Sequence, residues 1–271
     1  MVPISRTVNT LWIPSKALIL LALRPLATNV CRADEYRKKD AKEKEAMTLE
    51  EQQIMFKFME KSIYSVYIPM IKFMISTACR CSEMTGLTWN DIDMRKRTVS
   101  INHQLIYKAM GRESKYILRE PKTKKGKRVI PMTNDVYDAL HEQKKLQLAL
   151  GIFCNDEVCG LKGFVFTNRN ANPIMSGNVN DILKRLVNKY NKIESRRAEE
   201  EKREPKLLPH ISAHTLRHTG CTRMAECGID IKTLQYIMGH ESIATTMDIY
   251  NHVDTTRVAV ELQKMDKIKI G

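Results

Sequence analysis

Three side chains that can hold phosphate or move protons lie close together in the sequence. His214, Arg217 and His218 stand at positions i, i+3 and i+4, and this spacing places all three on one face of a helix. Two imidazoles and a guanidinium do not match an apolar core stripe. A helix that contacts DNA phosphates without doing chemistry is an alternative interpretation. A metal site is disfavoured because Arg217 adds a cation where a third ligand would be needed.

Two further candidates follow along the chain. Gly239-His240 ends one predicted short helix and opens the next, so the imidazole lies near backbone N–H groups that favour an anion. Tyr250 comes ten residues later. Taken alone it fits an amphipathic core or rim position, but beside His214, Arg217 and His240 it becomes a candidate nucleophile.

Arg80 is the upstream candidate. It follows an apolar predicted helix, residues 71–78, and Glu83 stands three positions later. An arginine at the end of a buried helix needs a partner, and Glu83 could orient it. A purely structural ion pair is the alternative.

These residues lie in motifs that resemble those of the tyrosine recombinases, the phage-integrase family. The four motifs stand in the family's order between about residues 47 and 265, and integrases of conjugative transposons and prophages show the same pattern. They are residues 77–89 (TACRCSEMTGLTW), 121–124 (PKTK) with 128–131 (RVIP), 214–218 (HTLRH), and 238–242 (MGHES) with 245–250 (TTMDIY).

The resemblance implies a site-specific DNA recombinase that cleaves and rejoins strands through a 3′-phosphotyrosine. Tyr250 would attack phosphorus and release a 5′-hydroxyl, with His214 as its acid–base partner. The departing oxygen needs a proton, and the ammonium of Lys122 suits that task. Lys124 is the rival for the same role.

The resemblance also implies a cationic cradle for the scissile phosphate. Arg80 and Arg217 would each fork onto two oxygens, and His240 would add a third donor. Glu83 would orient Arg80, and His218 would support the helix face. The remaining cations of the predicted hairpin are expected to contact flanking DNA phosphates: Lys124, Lys125, Lys127 and Arg128. No cofactor, neither metal nor nucleotide, is expected, because the phosphotyrosine stores the bond energy for religation.

The elements that must position these residues are mainly α-helical with one small antiparallel β-sheet, an α+β class and the tyrosine recombinase catalytic fold. Thr48-Leu49-Glu50-Glu51 forms a predicted capping box. Predicted helices cover residues 48–61, 65–79, 134–150, 177–192, 213–227, 231–238, 241–250 and 254–265. Predicted strands lie near 99–107, 115–121 and 127–131, with a hairpin tip at 123–126.

Several finer expectations accompany those elements. The helix from Asn134 takes Val136, Leu140 and Leu148 as its apolar set and ends before Gly151. Ser176 is predicted to cap the following helix, residues 164–167 are extended, and residues 193–206 are a charged insertion. The segment 254–265 either docks on a neighbouring protomer or folds back on its own domain.

Composition agrees with a nucleic-acid partner. The 271 residues carry 45 Lys plus Arg against 31 Asp plus Glu, a net charge of +14, which favours polyanions such as DNA or an anionic membrane face. The seven cysteines have no zinc-like spacing, so reduced core thiols and a cytoplasmic location are expected. The apolar run 17–23 is too short to span a bilayer, and neither export nor a membrane partner is expected.

Domain organisation is expected to follow the charge pattern. Residues 1–46 form an N-terminal remnant and a charged linker, and residues 47–271 form the catalytic domain. Family members carry a helical core-binding domain before the catalytic one, which residues 1–46 are too few to supply. A truncated or rearranged product with weak, salt-sensitive DNA binding is therefore expected.

The predicted partners are double-stranded DNA at attachment sites, further copies of the chain on that DNA, and an excision factor. Two alternatives in function remain open at this point. One is a non-catalytic DNA-binding fragment that occupies recombination sites. The other is a type IB topoisomerase or telomere resolvase, which shares the tyrosine chemistry.

Overall fold

The computed structural model describes residues 46–110, 113–121, 126–154, 157–243 and 246–247, which belong to a compact unit spanning Ala41–Gly271. Several predictions fall outside the described residues: those for Lys122, Lys124, Lys125 and Tyr250, for residues 1–45 and for the helix 254–265. Of the predicted helix 241–250, only residues 246–247 are described as helical.

Helices make up most of the described chain, which confirms the predicted fold class. One short 3₁₀ helix, Ile63–Tyr67, lies between the first and second α-helices, and another, Trp89–Asp91, follows the third. The α-helices are α1 (Leu49–Glu60), α2 (Ile68–Thr77), α3 (Cys81–Gly86), α4 (Asn134–Leu150), α5 (Ser176–Glu200), α6 (Ala213–Glu226) and α7 (Ile231–Met238).

Five strands form two small antiparallel sheets where one was predicted. They are β1 (Ile92–Asp93), β2 (Thr98–Ile101), β3 (Gln104–Met110), β4 (Glu113–Arg119) and β5 (Arg128–Pro131). The first sheet has the order β1-β2-β5, with Val99 opposite Ile130, and the second pairs β3 with β4. The predicted pairing of the strands near 115–121 and 127–131 is therefore wrong, because β4 pairs with β3 and β5 with β2; residues 123–125 of the predicted tip lie outside the described ranges.

The helix ends follow local capping rules in most places. Thr48 and Glu51 form the predicted capping box at the start of α1, with Thr48 N–H donating to the Glu51 carboxylate at 2.7 Å. Gly151 ends α4 in the left-handed conformation, at φ 65°, as its sequence position predicted. The predicted cap at Ser176 is wrong, since Met175 occupies the N-cap position of α5 and Ser176 is its first residue.

The predicted charged insertion at 193–206 is also wrong over much of its length. Helix α5 continues to Glu200, because Glu, Arg and Ala are strong helix formers. The Arg197 guanidinium pairs with Glu201 one turn later, at 2.7 Å. Ala198, only 1% exposed, packs the extension against the rest of the unit.

The main core forms around α2, which packs against both α4 and α6. Phe73 and Leu140 are fully buried there, whereas Leu148, predicted to belong to the apolar face of α4, is exposed. A Cβ at Gly220 would lie 2.0 Å from the Ile75 carbonyl oxygen, so only glycine allows α6 to approach α2 this closely. Within the described ranges, no helix combines the length and apolarity that a membrane crossing requires.

Candidate active site

Arg80 lies in the tight connection between α2 and α3. Ala78 ends α2 in the left-handed region at φ 48°, and Arg80 then occupies the N-cap position of α3. Its backbone N–H donates to Glu83 Oε2 at 2.9 Å and its Nη1 donates to Glu83 Oε1 at 2.8 Å. The carboxylate thus holds the main chain and the guanidinium of Arg80 at once.

Three arginines converge on the carboxyl end of α7. The last carbonyls of a helix lack intrahelical partners and carry the negative end of the helix dipole, so they attract cations. Here each of three successive carbonyls accepts a hydrogen bond from a different arginine. Arg128 Nε donates to Ile237 O at 2.7 Å, Arg217 Nη2 to Met238 O at 2.7 Å, and Arg80 Nη2 to Gly239 O at 2.9 Å.

Gly239 makes this arrangement sterically possible. It ends α7 in the left-handed conformation at φ 60°, which turns its carbonyl toward Arg80. The left-handed conformation favours glycine, and a Cβ at this position would lie 2.8 Å from Arg128 Nη1 and would have to displace that guanidinium.

Arg217 projects from α6 into the interior. It is 6% exposed, and its Nη1 donates to the carbonyl oxygen of Ala78 at 2.7 Å. Burial, and then the positive charge of Arg80, lower the pKa of Arg217 to about 10. Arg80, Arg128 and Arg217 surround one carboxylate, Glu83, so the positive charge exceeds what that carboxylate neutralises, which favours a phosphate.

His240 follows this turn and contacts Arg217 directly. Its Nε2 lies 2.9 Å from Arg217 Nη2, and its Nδ1 lies 3.0 Å from Thr246 Oγ1. A guanidinium can only donate, so Nε2 accepts and the proton resides on Nδ1, facing Thr246. Burial, followed by the charges of Arg217 and Arg80, lowers the pKa of His240 to about 4. The imidazole is neutral near pH 7, and donation from Nε2 would require Arg217 to release it and the proton to move.

His214 and His218 lie one turn apart on α6 and contact each other. Their Nε2 atoms are 3.0 Å apart, and their rings meet edge to face with centroids 4.5 Å apart. His214 is exposed and lines a cleft, and His218 is half-buried beside it. The contact fixes the orientation of His214, because one imidazole must donate and the other accept.

The cleft above these residues has a volume of about 750 Å³. It brings together four of the predicted catalytic residues from three separate parts of the chain. Its lining consists of Arg80, Cys81, Asn180, Ala213, His214, Arg217, His240, Glu241 and Ser242. Asn180, which the sequence analysis did not single out, accepts from the Ala213 backbone N–H at 2.9 Å and so ties the start of α6 to α5.

Arg128 corrects one prediction. It was expected to contact DNA phosphates, yet its guanidinium is fully buried and pairs with Glu83 Oε2 at 2.9 Å. Strand β5 alternates buried and exposed positions, so Arg128 shares the inward face with Ile130. That two-residue period was the sequence signal that could have placed it. Lys127, its neighbour, is exposed as expected and pairs with Glu120 at 2.8 Å.

Glu83 is the carboxylate on which this arrangement depends. Burial alone would raise its pKa, but the hydrogen bonds and charge of Arg128, and then of Arg80, hold the pKa below its usual range. Glu83 is therefore ionised at neutral pH. Within the described ranges, no group of three His, Cys, Asp or Glu side chains could hold a metal ion.

Comparisons with known proteins agree with this architecture. Residues 45–257 match the Phage integrase family. The transposase from transposon Tn916 of Enterococcus faecalis is 36% identical over 234 residues, which cover 85% of this chain and 53% of the transposase. A XerC-like tyrosine recombinase of Caldanaerobacter subterraneus is 31% identical over 187 residues, 65% of this chain and 43% of the relative.

The fold of this chain is also similar to that of a solved structure. The Tn1549 transposon integrase, bound to a circular intermediate DNA, superposes with a TM-score of 0.69 at 30% identity, covering 84% of this chain and 68% of that one. The chain spans about half the length of the Tn916 transposase, 53%. Because the family match runs through α1 to α7, the chain belongs to the phage integrase family, the tyrosine recombinases.

Proposed function

We propose that the chain is a site-specific DNA recombinase that cleaves and rejoins DNA in the integration or excision of a mobile element, with residues 47–271 as its catalytic domain. The observation that carries the proposal is the convergence of Arg80, Arg217, His214 and His240 at one cleft with uncompensated positive charge. The likeness to the Tn916 transposase and to a DNA-bound transposon integrase supports the same activity.

The proposed chemistry matches the charges of the cleft. A phosphodiester under attack gains negative charge on its non-bridging oxygens, and donors that are already in position stabilise that charge without reorganising. Arg80 and Arg217 provide such donors, since the α7 carbonyls and Glu83 hold their guanidinium groups in place. Arg217 bonds the carbonyl oxygens of Ala78 and Met238, which carry no full charge, so its positive charge is available to a bound phosphate.

Bond making and breaking would involve residues outside the described ranges. The Tyr250 oxygen attacks phosphorus, the bond to the 5′-oxygen breaks, and the 3′-phosphate stays on the tyrosine. Lys122, or Lys124 in its place, gives the departing 5′-oxygen a proton. His214 takes the phenolic proton. In the return step a 5′-hydroxyl attacks the phosphotyrosine and frees Tyr250, so no net bond energy is lost.

The partner of this site would be double-stranded DNA carrying an attachment sequence. Lys127 is exposed and, with Lys124 and Lys125, is proposed to contact the backbone beside the scissile phosphate. Further copies of the chain on the same DNA and an excision factor complete the proposed set of partners. Because phosphate contacts release counterions, the affinity for DNA should fall steeply as salt rises.

A covalent-trapping experiment tests the proposal. Duplexes that carry transposon-end sequences and a nick beside the scissile phosphate lose their leaving strand after cleavage, so a covalent protein–DNA adduct accumulates. We expect an adduct with the native chain, none with Tyr250→Phe, and strongly reduced adduct with Arg217→Lys. If the native chain binds these duplexes but forms no adduct, the non-catalytic DNA-binding alternative replaces this proposal.

A further inference from the structure

We propose that Arg128, which sequence analysis assigned to the DNA backbone, is a positioning residue that locks Arg80, the His240 turn and Gly126 into one geometry. The inference rests on the proposed recombinase function for its catalytic consequence. The coupling of three parts of the site through one buried guanidinium does not depend on that function, because it is argued from hydrogen bonds only.

The first contact fixes Glu83, and through it Arg80. Arg128 Nη2 lies 2.9 Å from Glu83 Oε2 and Nη1 lies 3.2 Å from Oε1. The same two carboxylate oxygens accept from the backbone and the guanidinium of Arg80. Both side chains of the Arg128–Glu83 pair are fully buried, whereas that of Arg80 is 36% exposed. Arg128 is therefore the buried partner that holds Glu83 in place, and Glu83 in turn holds Arg80, which lines the cleft.

The second contact fixes the turn that carries His240. Arg128 Nε donates to the Ile237 carbonyl at 2.7 Å. The guanidinium also packs directly against Gly239, where no Cβ would fit. Since Gly239 O accepts from Arg80 and Met238 O accepts from Arg217, a displaced turn would shift the acceptors of both cleft arginines together.

The third contact fixes Gly126, just before β5. Arg128 Nη1 donates to the Gly126 carbonyl at 3.0 Å. Gly126 in turn lies so close to Pro121 that a Cβ on the glycine would be 2.3 Å from the proline Cβ. Arg128 therefore holds Gly126, and with it the packing of Gly126 on Pro121, beside the same carboxylate that holds Arg80.

A planar fork is needed for this task. Arg128 bonds two carboxylate oxygens and two carbonyl oxygens from one guanidinium. Lysine would keep the positive charge but could not span these acceptors with a single ammonium. If the only role of Arg128 were to neutralise Glu83, Arg128→Lys would keep the native rate of adduct formation. If Arg128 positions the site, Arg128→Lys would be slower.

The test compares Arg128→Met and Arg128→Lys with the native chain in the nicked-duplex assay at saturating DNA. Arg203→Met is a matched control. It also removes the arginine partner of a largely buried carboxylate, Glu194, which is 8% exposed, and neither residue lines the cleft. Adduct rate, DNA affinity and thermal midpoint are measured for each variant.

We expect Arg128→Met to slow adduct formation about 100-fold, the cost of a misplacement near 1 Å at a reacting centre, while DNA affinity stays within about threefold of native. Arg128→Lys should remain clearly slower than native although its thermal midpoint recovers. Arg203→Met should keep the native rate. A native rate in folded Arg128→Met, full rescue by lysine, or an equal loss in Arg203→Met would each overturn the proposal.

A second readout separates this inference from the proposed function. Hydrogen–deuterium exchange is measured over residues 80–86 and 236–240 without DNA. Arg128→Met should exchange faster than native in both segments, and Arg203→Met in neither. If the native chain forms no adduct, the recombinase proposal fails, but unchanged exchange in Arg128→Met would still refute the coupling, and faster exchange would support it.

Discussion

Two clusters of arginine and glutamate in this chain use the same chemical groups with opposite charge balance. In the cleft cluster, Arg80, Arg128 and Arg217 surround Glu83, which bonds directly to the first two. The surface cluster lies at the end of α5, where Arg197 and Arg203 pair with Glu194 and Glu201. The cleft cluster keeps an excess of positive charge, and the surface cluster is neutral.

The difference lies in what satisfies the guanidinium groups. In the surface cluster each arginine bonds a carboxylate and is partly in water, so charge is balanced pair by pair. In the cleft cluster three carbonyl oxygens of α7 supply acceptors that carry no full charge. Carbonyl dipoles hold the cations in position without neutralising them, which leaves their charge available to an anion.

The largest effect expected from this comparison is on stability. Glu83→Gln removes the carboxylate that Arg80 and Arg128 share, and breaking a buried ion pair costs about 3–5 kcal/mol. Glu194→Gln, in the surface cluster, should cost far less, since water can rehydrate Arg203. Free energies of unfolding from urea titration at pH 7.5 measure both losses. If both variants lost the same unfolding free energy, the carboxylates of the two clusters would contribute equally to stability and the contrast between the clusters would be wrong.

An effect of intermediate size is expected in acid. The pKa of His240 is about 4 in the folded chain against an ordinary value near 6.5, so the unfolded chain binds the proton more readily. The contribution of neutral His240 to stability is fully present above pH 6.5 and is lost as pH falls toward 4. His240→Gln should therefore flatten the decline in unfolding free energy over that window.

Urea titrations at intervals between pH 4.5 and 7.5, for the native chain and His240→Gln, check this prediction. The imidazole resonances of His240, followed by NMR, should move with a midpoint well below that of an ordinary histidine. Parallel stability curves for the two proteins would mean that burial and the neighbouring arginine charges do not lower the pKa of His240.

The smallest effect is expected from salt. At about 1 M salt the Debye length is near 3 Å, so partly exposed pairs are screened and buried ones much less so. The stability difference between native and Glu194→Gln should shrink when NaCl is raised from 0.1 to 1 M, and that for Glu83→Gln should persist. The same urea titrations at the two salt concentrations give both differences, and a matching salt dependence would contradict the contrast in burial.

Local sequence signals predicted most of the helices because their determinants are short in range. The Thr48–Glu51 capping box and the Gly151 cap depend on residues within one turn. The strand predictions were partly wrong: β1 was not predicted, and the single strand expected near 99–107 is divided into β2 and β3, which lie in different sheets. The pairing of β5 with β2 was not predicted either, because it joins residues about 30 positions apart. Residues 193–200 were predicted as a charged insertion because they lack an apolar period, although Glu, Arg and Ala favour a helix. The burial of Ala198 on that helix is visible only in the folded structure.

The motifs alone determined the family and the identity of the cationic side chains, because the chemistry of phosphate requires arginine, histidine and lysine whatever their surroundings. Only the tertiary structure decided which of those cations face the cleft. Arg128 and Lys127 are neighbours in one basic run, yet Arg128 is buried against Glu83 and Lys127 is exposed. The two-residue period of β5 could indicate the inward position of Arg128, but not the carboxylate that it meets there. The acceptors at the end of α7 are backbone carbonyls, and because every residue has one, no side-chain pattern could reveal that these three hold the arginines.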